Sequence, residues 1–196
     1  SAVITADIVN STKLSRPDYK KLTKSLELVL QNHQHEFFRG DSFQVLVKTA
    51  EEALKVLLLS RIAAIKLSKT RVADIRASIG IGNIKLPVKS FQTASGDLFV
   101  LSGRAFDKLA KDERLIIVGD EKNKAVNSAL QILSQFIDYL FHRLTIKQAA
   151  VVYELLMERT QIDTAKRLKK SQATVHKHIQ AAGWPEIARL LTAYKN

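Results

Sequence analysis

Near the start of the chain, the hydrophobic residues first follow the period of a strand and then that of a helix. Residues 2–9 (AVITADIV) are apolar on both alternating faces and rich in β-branched side chains, which predicts a buried central strand. A helix is expected to start near Ser15, because Leu22, Leu26 and Leu30 recur at helical spacing.

The pattern continues with a hairpin, a long helix and further strands. Two strands are predicted in residues 35–48, joined at Gly40-Asp41. The elements expected next are a helix over 49–68, a strand over 74–85, a helix over 98–109 and a strand over 114–118. This order, β-α-β-β-α-β and then helix and strand, predicts an α+β fold with a ferredoxin-like sandwich.

From residue 121 onward the pattern is helical only. One apolar stripe is predicted along a helix, made by Ala125, Ala129, Ile132, Leu133, Phe136, Ile137 and Leu140. Short helices fill the rest of the chain. We therefore predict a first domain over 1–120, a connecting helix over 121–144 and a small all-α domain over 145–196.

Composition and charge narrow the possible functions. The 196 residues include 31 Lys and Arg, 19 Asp and Glu and no Cys, for a net charge of +12. The absence of Cys excludes disulfides and thiolate metal sites, and it fits a reducing compartment, so a cytoplasmic location is expected. Apolar runs interrupted by Arg61 are too short for a membrane span, so no membrane partner is expected. The charge predicts a polyanionic partner, which could be nucleic acid, nucleotide phosphates or an anionic membrane surface. For the bases between Lys55 and Lys89 the alternative is a solvated basic face.

Asp7 is the exception in the first strand, because a carboxylate in an apolar run is costly unless a cation or donors satisfy it. In the expected sheet the first strand lies beside the hairpin, so Asp7 and Asp41 can converge on one Mg²⁺. Asn10, Ser11 and Thr12 offer backbone N–H groups and hydroxyls to a triphosphate at a helix start. The simpler alternatives are an ordinary Gly40-Asp41 turn and an Asp7 satisfied by Ser or Thr neighbours.

Three blocks of sequence carry a family resemblance. In order and spacing, Asp7–Thr12, Arg39–Gln44 and Arg76–Gly82 resemble the catalytic domain of class III nucleotide cyclases. The chain is more similar still to the SatD-like family, which pairs such a domain with a helix-turn-helix. The resemblance covers about residues 3–118. It implies that Asp7 and Asp41 hold metal ions and that the loop after Asp7 binds the triphosphate.

Departures from the family bear on catalysis. Active cyclases carry an Asn and an Arg one turn apart on a later helix, and the nearest positions here are Arg104 and Lys108. A Lys lacks the bidentate fork of an Arg, and an Arg in place of Asn changes charge and reach. Phe37 and Phe38 stand where the purine-selecting lysine is expected. The resemblance implies that a purine nucleotide binds with Mg²⁺, and the departures imply that turnover is not expected.

Residues 161–183 have the spacing of a helix-turn-helix similar to those of LuxR-type regulators and sigma factors. Ala165 is small where two helices would cross, Ser171 suits an N-cap, and Val175 and Ile179 form a buried face. The remaining positions are expected to bind double-stranded DNA. The residues expected to face the major groove are Gln172, Ala173, Thr174, His176 and Lys177, of which the Gln, Thr and Lys can read base edges. Phosphates would be contacted by Lys166, Arg167, Lys169, Lys170 and Arg189.

The combined prediction is a cytoplasmic DNA-binding transcriptional regulator with a degenerate cyclase-like domain that senses a nucleotide and Mg²⁺. A homodimer is expected, because cyclase-like domains pair head to tail and one helix-turn-helix reads a single half-site. One alternative is an active Mg²⁺-dependent cyclase whose helical tail regulates it. Others are a tail that binds proteins, or a helical bundle that only packs on the first domain.

Overall fold

A five-stranded mixed sheet and eight α-helices make up the part of the chain that the computed structural model describes, residues 1–38, 40–67, 73–88, 91 and 96–195. The strands are β1 (Ala2–Val9), β2 (Gln34–Phe38), β3 (Ser42–Val47), β4 (Asp74–Ile81) and β5 (Leu115–Val118). The helices are α1 (Arg16–Leu30), α2 (Ala50–Leu67), α3 (Asp97–Asp107), α4 (Lys124–Arg143), α5 (Ile146–Leu156), α6 (Gln161–Leu168), α7 (Gln172–Ala181) and α8 (Trp184–Lys195).

The strands lie in the order β2-β3-β1-β4-β5. The central strand β1 is antiparallel to both β3 and β4, and β5 joins the edge parallel to β4. These pairings confirm the α+β class, the order of elements and the placement of β1 beside the hairpin. The strand predicted to reach Lys85 ends at Ile81. The predicted ends of the first hairpin strand, Arg39, and of the second helix, Ser68, lie outside the described residues.

The two faces of β1 contribute to different layers. Alternate residues from Ala2 to Ile8 join the main core under α1 and α2. On the opposite face Val3 packs with α3, and Thr5 Oγ1 lies 2.7 Å from Ser102 Oγ of that helix. The strand is therefore buried on both sides, as predicted, but the α3 side is partly polar around Thr5 and Asp7.

Helix α4 covers the outer edge of β5. Its side chains accept hydrogen bonds from backbone N–H groups that a further strand would otherwise bind. The acceptors are Asn127 for Gly119 N–H (2.8 Å), Ser134 for Ile117 N–H (3.2 Å) and Asp138 for Leu115 N–H (3.1 Å). The sheet edge is thus closed by a helix with polar groups on its inner face.

A fully buried Arg61 on α2 joins the sheet to α4. Its Nε and Nη2 donate to the two carboxylate oxygens of Asp74 at the start of β4, at 3.1 and 3.0 Å. Its Nη1 donates to Asp138 Oδ1 at 2.5 Å, and the ring of Phe141 lies 4.9 Å from the guanidinium carbon. Although burial favours the neutral form, the two carboxylates outweigh it and raise the pKa of Arg61.

The C-terminal helices pack against α2. Buried side chains of α5 and α8, among them Val152 and Ile187, belong to the same core as the sheet. A smaller cluster joins α5, α6 and α7 through Val151, Ala165, Val175 and Ile179. None of the described helices combines the length and hydrophobicity needed to cross a bilayer.

Replacing Arg61 with Met should lower the free energy of unfolding by about 3–5 kcal/mol, because Asp74 and Asp138 would keep their burial and lose their cation. Lys55→Met is the matched control, since Lys55 lies on the same helix but pairs with the exposed Glu158. That variant should change stability by less than about 1 kcal/mol. Urea unfolding followed by circular dichroism measures both, and equal losses would contradict the role assigned to Arg61.

Candidate functional site

A polar cavity of about 340 Å³ opens where β1 ends beside the β2–β3 hairpin. In the sheet register Asp7 lies between Ser42 of β3 and Arg76 of β4. The Ile8 N–H donates to the Asp41 carbonyl at 2.9 Å and holds the hairpin tip against β1. The structure therefore brings Asp7 and Asp41 to the wall of one cavity.

The carboxylates of this cavity have different partners. Arg76 Nη2 donates to Asp7 Oδ2 at 2.9 Å, and Ser11 Oγ donates to Asp41 Oδ2 at 3.0 Å. Asp7 Oδ1 is buried and accepts no hydrogen bond from any described residue. The partner of Asp7 is thus an arginine of β4 rather than a neighbouring Ser or Thr, and one of its oxygens keeps a free lone pair.

Asn10, Ser11 and Thr12 also line the cavity. Asn10 has a left-handed backbone (φ +57°) and precedes a single 3-10 turn, Ser11–Lys13. The first turn of α1 is already capped, because Ser15 Oγ accepts from the Asp18 N–H at 3.2 Å. The expected helix start is therefore the 3-10 turn and not α1, which contributes no residue to the cavity wall.

Basic residues form the rest of the wall. Arg76, Lys111 and Arg114 face the two carboxylates, which gives three positive and two negative side chains. Carboxylate oxygens are the ligands that Mg²⁺ prefers, and guanidinium groups bind phosphate oxygens. A cation at Asp7 Oδ1 would also satisfy a buried oxygen that lacks a partner. The cavity has a net positive charge, which repels a cation that binds without an anion. Its residues therefore fit a phosphate with a bound metal ion better than a metal ion alone.

An aromatic cleft of about 350 Å³ lies next to this cavity on the same face of the sheet. Its wall includes Phe38, Phe91 and Phe106 together with Thr5 and Gln44. Gln44 Nε2 donates to Thr5 Oγ1 at 3.1 Å, which fixes the polar edge of the cleft.

Arg76 of the Asp7 cavity is close to Phe106 of the aromatic cleft, since its guanidinium carbon lies 4.9 Å from the centre of that ring. A ligand with a charged end and a flat apolar end could therefore occupy both.

Arg104 and Lys108 lie elsewhere. Both are exposed at the C-terminal end of α3. They line a larger cavity of about 770 Å³ between α3, β5 and α4, and neither belongs to the wall around Asp7. Within one copy of the chain, the residues predicted to bind metal and those at the family's transition-state positions therefore line different cavities.

A second candidate surface is formed by α6 and α7, which are joined by three residues. Val175 and Ile179 are buried against Ala165, and Ser171 Oγ accepts from the Thr174 N–H at 3.1 Å, which confirms the predicted cap and inner face.

The outer face of α7 presents Gln172, Ala173, His176 and Lys177 to solvent. Thr174 is half-buried, and its hydroxyl lies 2.9 Å from Ser171 Oγ, which places this side chain in the cap.

The basic residues around α7 are placed in distinct ways. Lys166 and Lys169 are exposed and Lys170 is half-buried, while Arg189 lies exposed on α8. Arg167 Nε donates to the buried Glu154 at 2.9 Å, so its head group is held against α5.

The structure also adds a residue that the sequence analysis missed. Lys147, at the start of α5, lies close enough to His178 to act on it electrostatically. Burial first, and then the charges of Lys170 and Lys147, lower the pKa of His178. Lys147 was missed because it lies outside the helix-turn-helix pattern and reaches this surface only through packing.

Lys169 adopts a left-handed backbone conformation (φ +52°) at the end of α6. The Lys170 N–H donates to the Ala165 carbonyl at 3.0 Å, and the Lys169 N–H donates to the Lys166 carbonyl at 3.2 Å. This is a Schellman motif, in which the left-handed position is usually a glycine. A lysine there costs stability that a glycine would not.

No known family model, curated protein or solved structure matches the chain. The cavity combines ligands for a cation with donors for phosphate, and α7 projects polar and basic side chains beside several lysines.

Lys169→Gly should raise the free energy of unfolding by about 1 kcal/mol, because glycine adopts the left-handed conformation without a Cβ clash. Lys166→Gly is the control, since Lys166 lies within α6, where glycine should lower stability by about 1 kcal/mol. Both values come from urea unfolding. A loss of stability in Lys169→Gly would contradict the conformation assigned to this residue.

Proposed function

We propose that the chain is a DNA-binding transcriptional regulator of the cytoplasm, with a nucleotide- and Mg²⁺-binding domain that no longer turns over its ligand. In this proposal β1–β4 with α1 and α2 form a ferredoxin-like sandwich, and α6 and α7 form a helix-turn-helix. The strand order β2-β3-β1-β4 supports the first assignment. The short connection between α6 and α7 supports the second.

The observation that carries the DNA proposal is the two-sided character of α7. Val175 and Ile179 hold one side of this ten-residue helix, while Gln172, His176 and Lys177 are exposed on the other. A helix of this length is about 15 Å long and fits a major groove about 12 Å wide. The exposed amide, imidazole and ammonium groups can hydrogen-bond to base edges.

Phosphate contacts are assigned to the lysines that surround α7. Lys147 is on α5, Lys166 on α6, and Lys169 and Lys170 in the turn before α7. The charges of Lys147 and Lys170 act on His178 of α7. Lys169 keeps a charged side chain at a position where glycine would be more stable, and such strain is frequent at functional sites. Arg167 exposes 55% of its side chain even though Glu154 holds it, so it lies at the border of this surface.

The DNA proposal predicts that the chain binds a mixed-sequence duplex and that its affinity falls steeply with salt. The reason is that lysines that bind phosphates displace counterions from the DNA. Lys169→Gly should lower the slope of log affinity against log salt by about one, although this variant is expected to be more stable. Lys24→Ala, which removes the same charge from an exposed position on α1, is the control and should leave the slope unchanged. Fluorescence anisotropy measures both, and salt-independent or absent binding would contradict the proposal.

The nucleotide proposal follows from the mixed charge of the Asp7 cavity. Asp7 and Asp41 would hold Mg²⁺, and Arg76, Lys111 and Arg114 would bind phosphate oxygens together with the loop at Asn10. The aromatic cleft at Phe106 offers a flat surface for a purine. Turnover is not expected, because Arg104 and Lys108 stand at the positions of the family's transition-state residues.

Mg²⁺ with ATP or GTP at 100 times its Kd should raise the free energy of unfolding by about 2.7 kcal/mol, because the ligand binds only the folded chain. Mg²⁺ alone should give a much smaller gain, since it meets a net positive cavity. Asp41→Asn should abolish the nucleotide effect, and Asp107→Asn, an exposed acid at the end of α3, should retain it. Thermal and urea unfolding with ligand measure the gain.

Two results would change the nucleotide proposal. The absence of any gain with either nucleotide would contradict it. Release of a cyclic nucleotide that stops in Asp7→Asn would instead favour the alternative of an active cyclase.

A further inference from the structure

Helix α4 exposes an apolar stripe on the side that faces away from the sheet. Ala125, Ala129, Ile132, Phe136 and Tyr139 are all exposed, and they recur at alternating intervals of four and three residues. Ile132 exposes 67% of its surface, Tyr139 55% and Phe136 43%. The fold uses the opposite side of the helix, where polar side chains bind the edge of β5.

The alternating interval is that of the inner positions of a coiled coil, which recur every 3.5 residues on average. The apolar stripe predicted for this helix divides between two faces. Ile137 is buried in the core, Leu133 and Leu140 are half-buried at its border, and Ile132 and Phe136 point to solvent. The outward half therefore has the pattern of a helix that packs on another helix.

Charge supports a second copy of this chain as the occupant. Apart from His142, the only side chain between Lys124 and Arg143 that can carry a charge near neutral pH is that of Asp138, whose carboxylate already binds Arg61 and β5. Two copies that each carry +12 repel one another over most of their surfaces. An uncharged face with exposed aromatic residues is where such copies can pack, because interface cores are depleted in charge and enriched in Tyr and Phe.

The exposed apolar area of this face is also large enough for a dimer interface. An uncovered aromatic side chain presents about 150–250 Å², so the half-exposed Phe136 and Tyr139 offer about 200 Å² together. Adding Val126, Ile132 and the two alanines gives about 500 Å² per copy, hence about 1,000 Å² per pair, the lower limit of a specific interface. At the C-terminal end of this face, Arg143 Nη1 donates to the Tyr139 hydroxyl at 3.0 Å.

We propose that the chain forms a two-fold dimer in which α4 of one copy packs along α4 of the other through this face. The same stripe serves both copies, as a closed two-fold contact requires. This surface is separate from the cavity at Asp7 and from the outer face of α7. The proposal therefore stands independently of nucleotide or DNA binding.

Sedimentation velocity of the full chain should give a mass twice the 22.0 kDa of one copy. Phe136→Glu should reduce it to that of one copy, with an unchanged circular dichroism spectrum, because a charge in an apolar interface is costly. Leu28→Glu is the control, since Leu28 is 58% exposed on α1, and it should remain dimeric. A wild-type monomer, or a Phe136→Glu variant that folds and stays dimeric, would overturn the proposal.

A single introduced cysteine gives a second test that does not depend on how Phe136→Glu folds, because the chain has no cysteine of its own. Ile132→Cys lies near the middle of α4, so the two copies of this residue lie close together whether the helices run parallel or antiparallel. Mild oxidation should produce a disulfide-linked dimer of Ile132→Cys and leave Leu28→Cys monomeric on a denaturing gel. Equal yields from the two variants would overturn the α4 interface.

Discussion

Arg61 is the constraint on which most of this structure depends. A fully buried guanidinium is tolerated only where carboxylates satisfy it, and here Asp74 of β4 and Asp138 of α4 do so from two sides. Asp138 also accepts the backbone N–H groups of Arg114 and Leu115, at 2.8 and 3.1 Å. One ionic network thus sets the positions of α2, β4, β5 and α4. It also holds the backbone of Arg114, whose side chain lines the Asp7 cavity.

The sequence predicted the sheet and half of the candidate cavity. Strand and helix periods are local, so the order of elements followed from them, and the pairing of β1 with the hairpin brought Asp7 and Asp41 together. The cations opposite them could not be found in this way, because they come from β4 and from the residues before β5, and only the fold unites these segments. In the sequence Arg61 is only a break in an apolar run, because periodicity does not show that a buried charge has partners.

Helix α4 shows a further limit of hydrophobic patterning. Its polar residues Asn127, Ser134 and Asp138 face inward, because the element that they cover is the edge of a strand with free N–H groups. Apolar residues on the other side of the helix are exposed to solvent. A rule that places apolar side chains inside holds for helices on the face of a sheet, such as α2. It holds only in part for α4 along the sheet edge, where Ile137 is buried and Ile132 and Phe136 are exposed. The single stripe predicted from the sequence therefore contained two faces with different roles.

The C-terminal helices share a core with the sheet, and this limits how any ligand could act on α7. Lys66 of α2 lies 3.2 Å from the ring centre of Tyr153, and its burial there lowers its pKa to about 8. The neighbouring Glu154 binds Arg167 of α6, so α2, α5 and α6 form a continuous packed and ionic contact. In the proposed regulator, a ligand in the Asp7 cavity would change DNA affinity only if it bound two arrangements of this contact with different free energies. Because these helices are packed together, a movement of α5 and α6 with their neighbours as a group is favoured over free movement of the C-terminal helices.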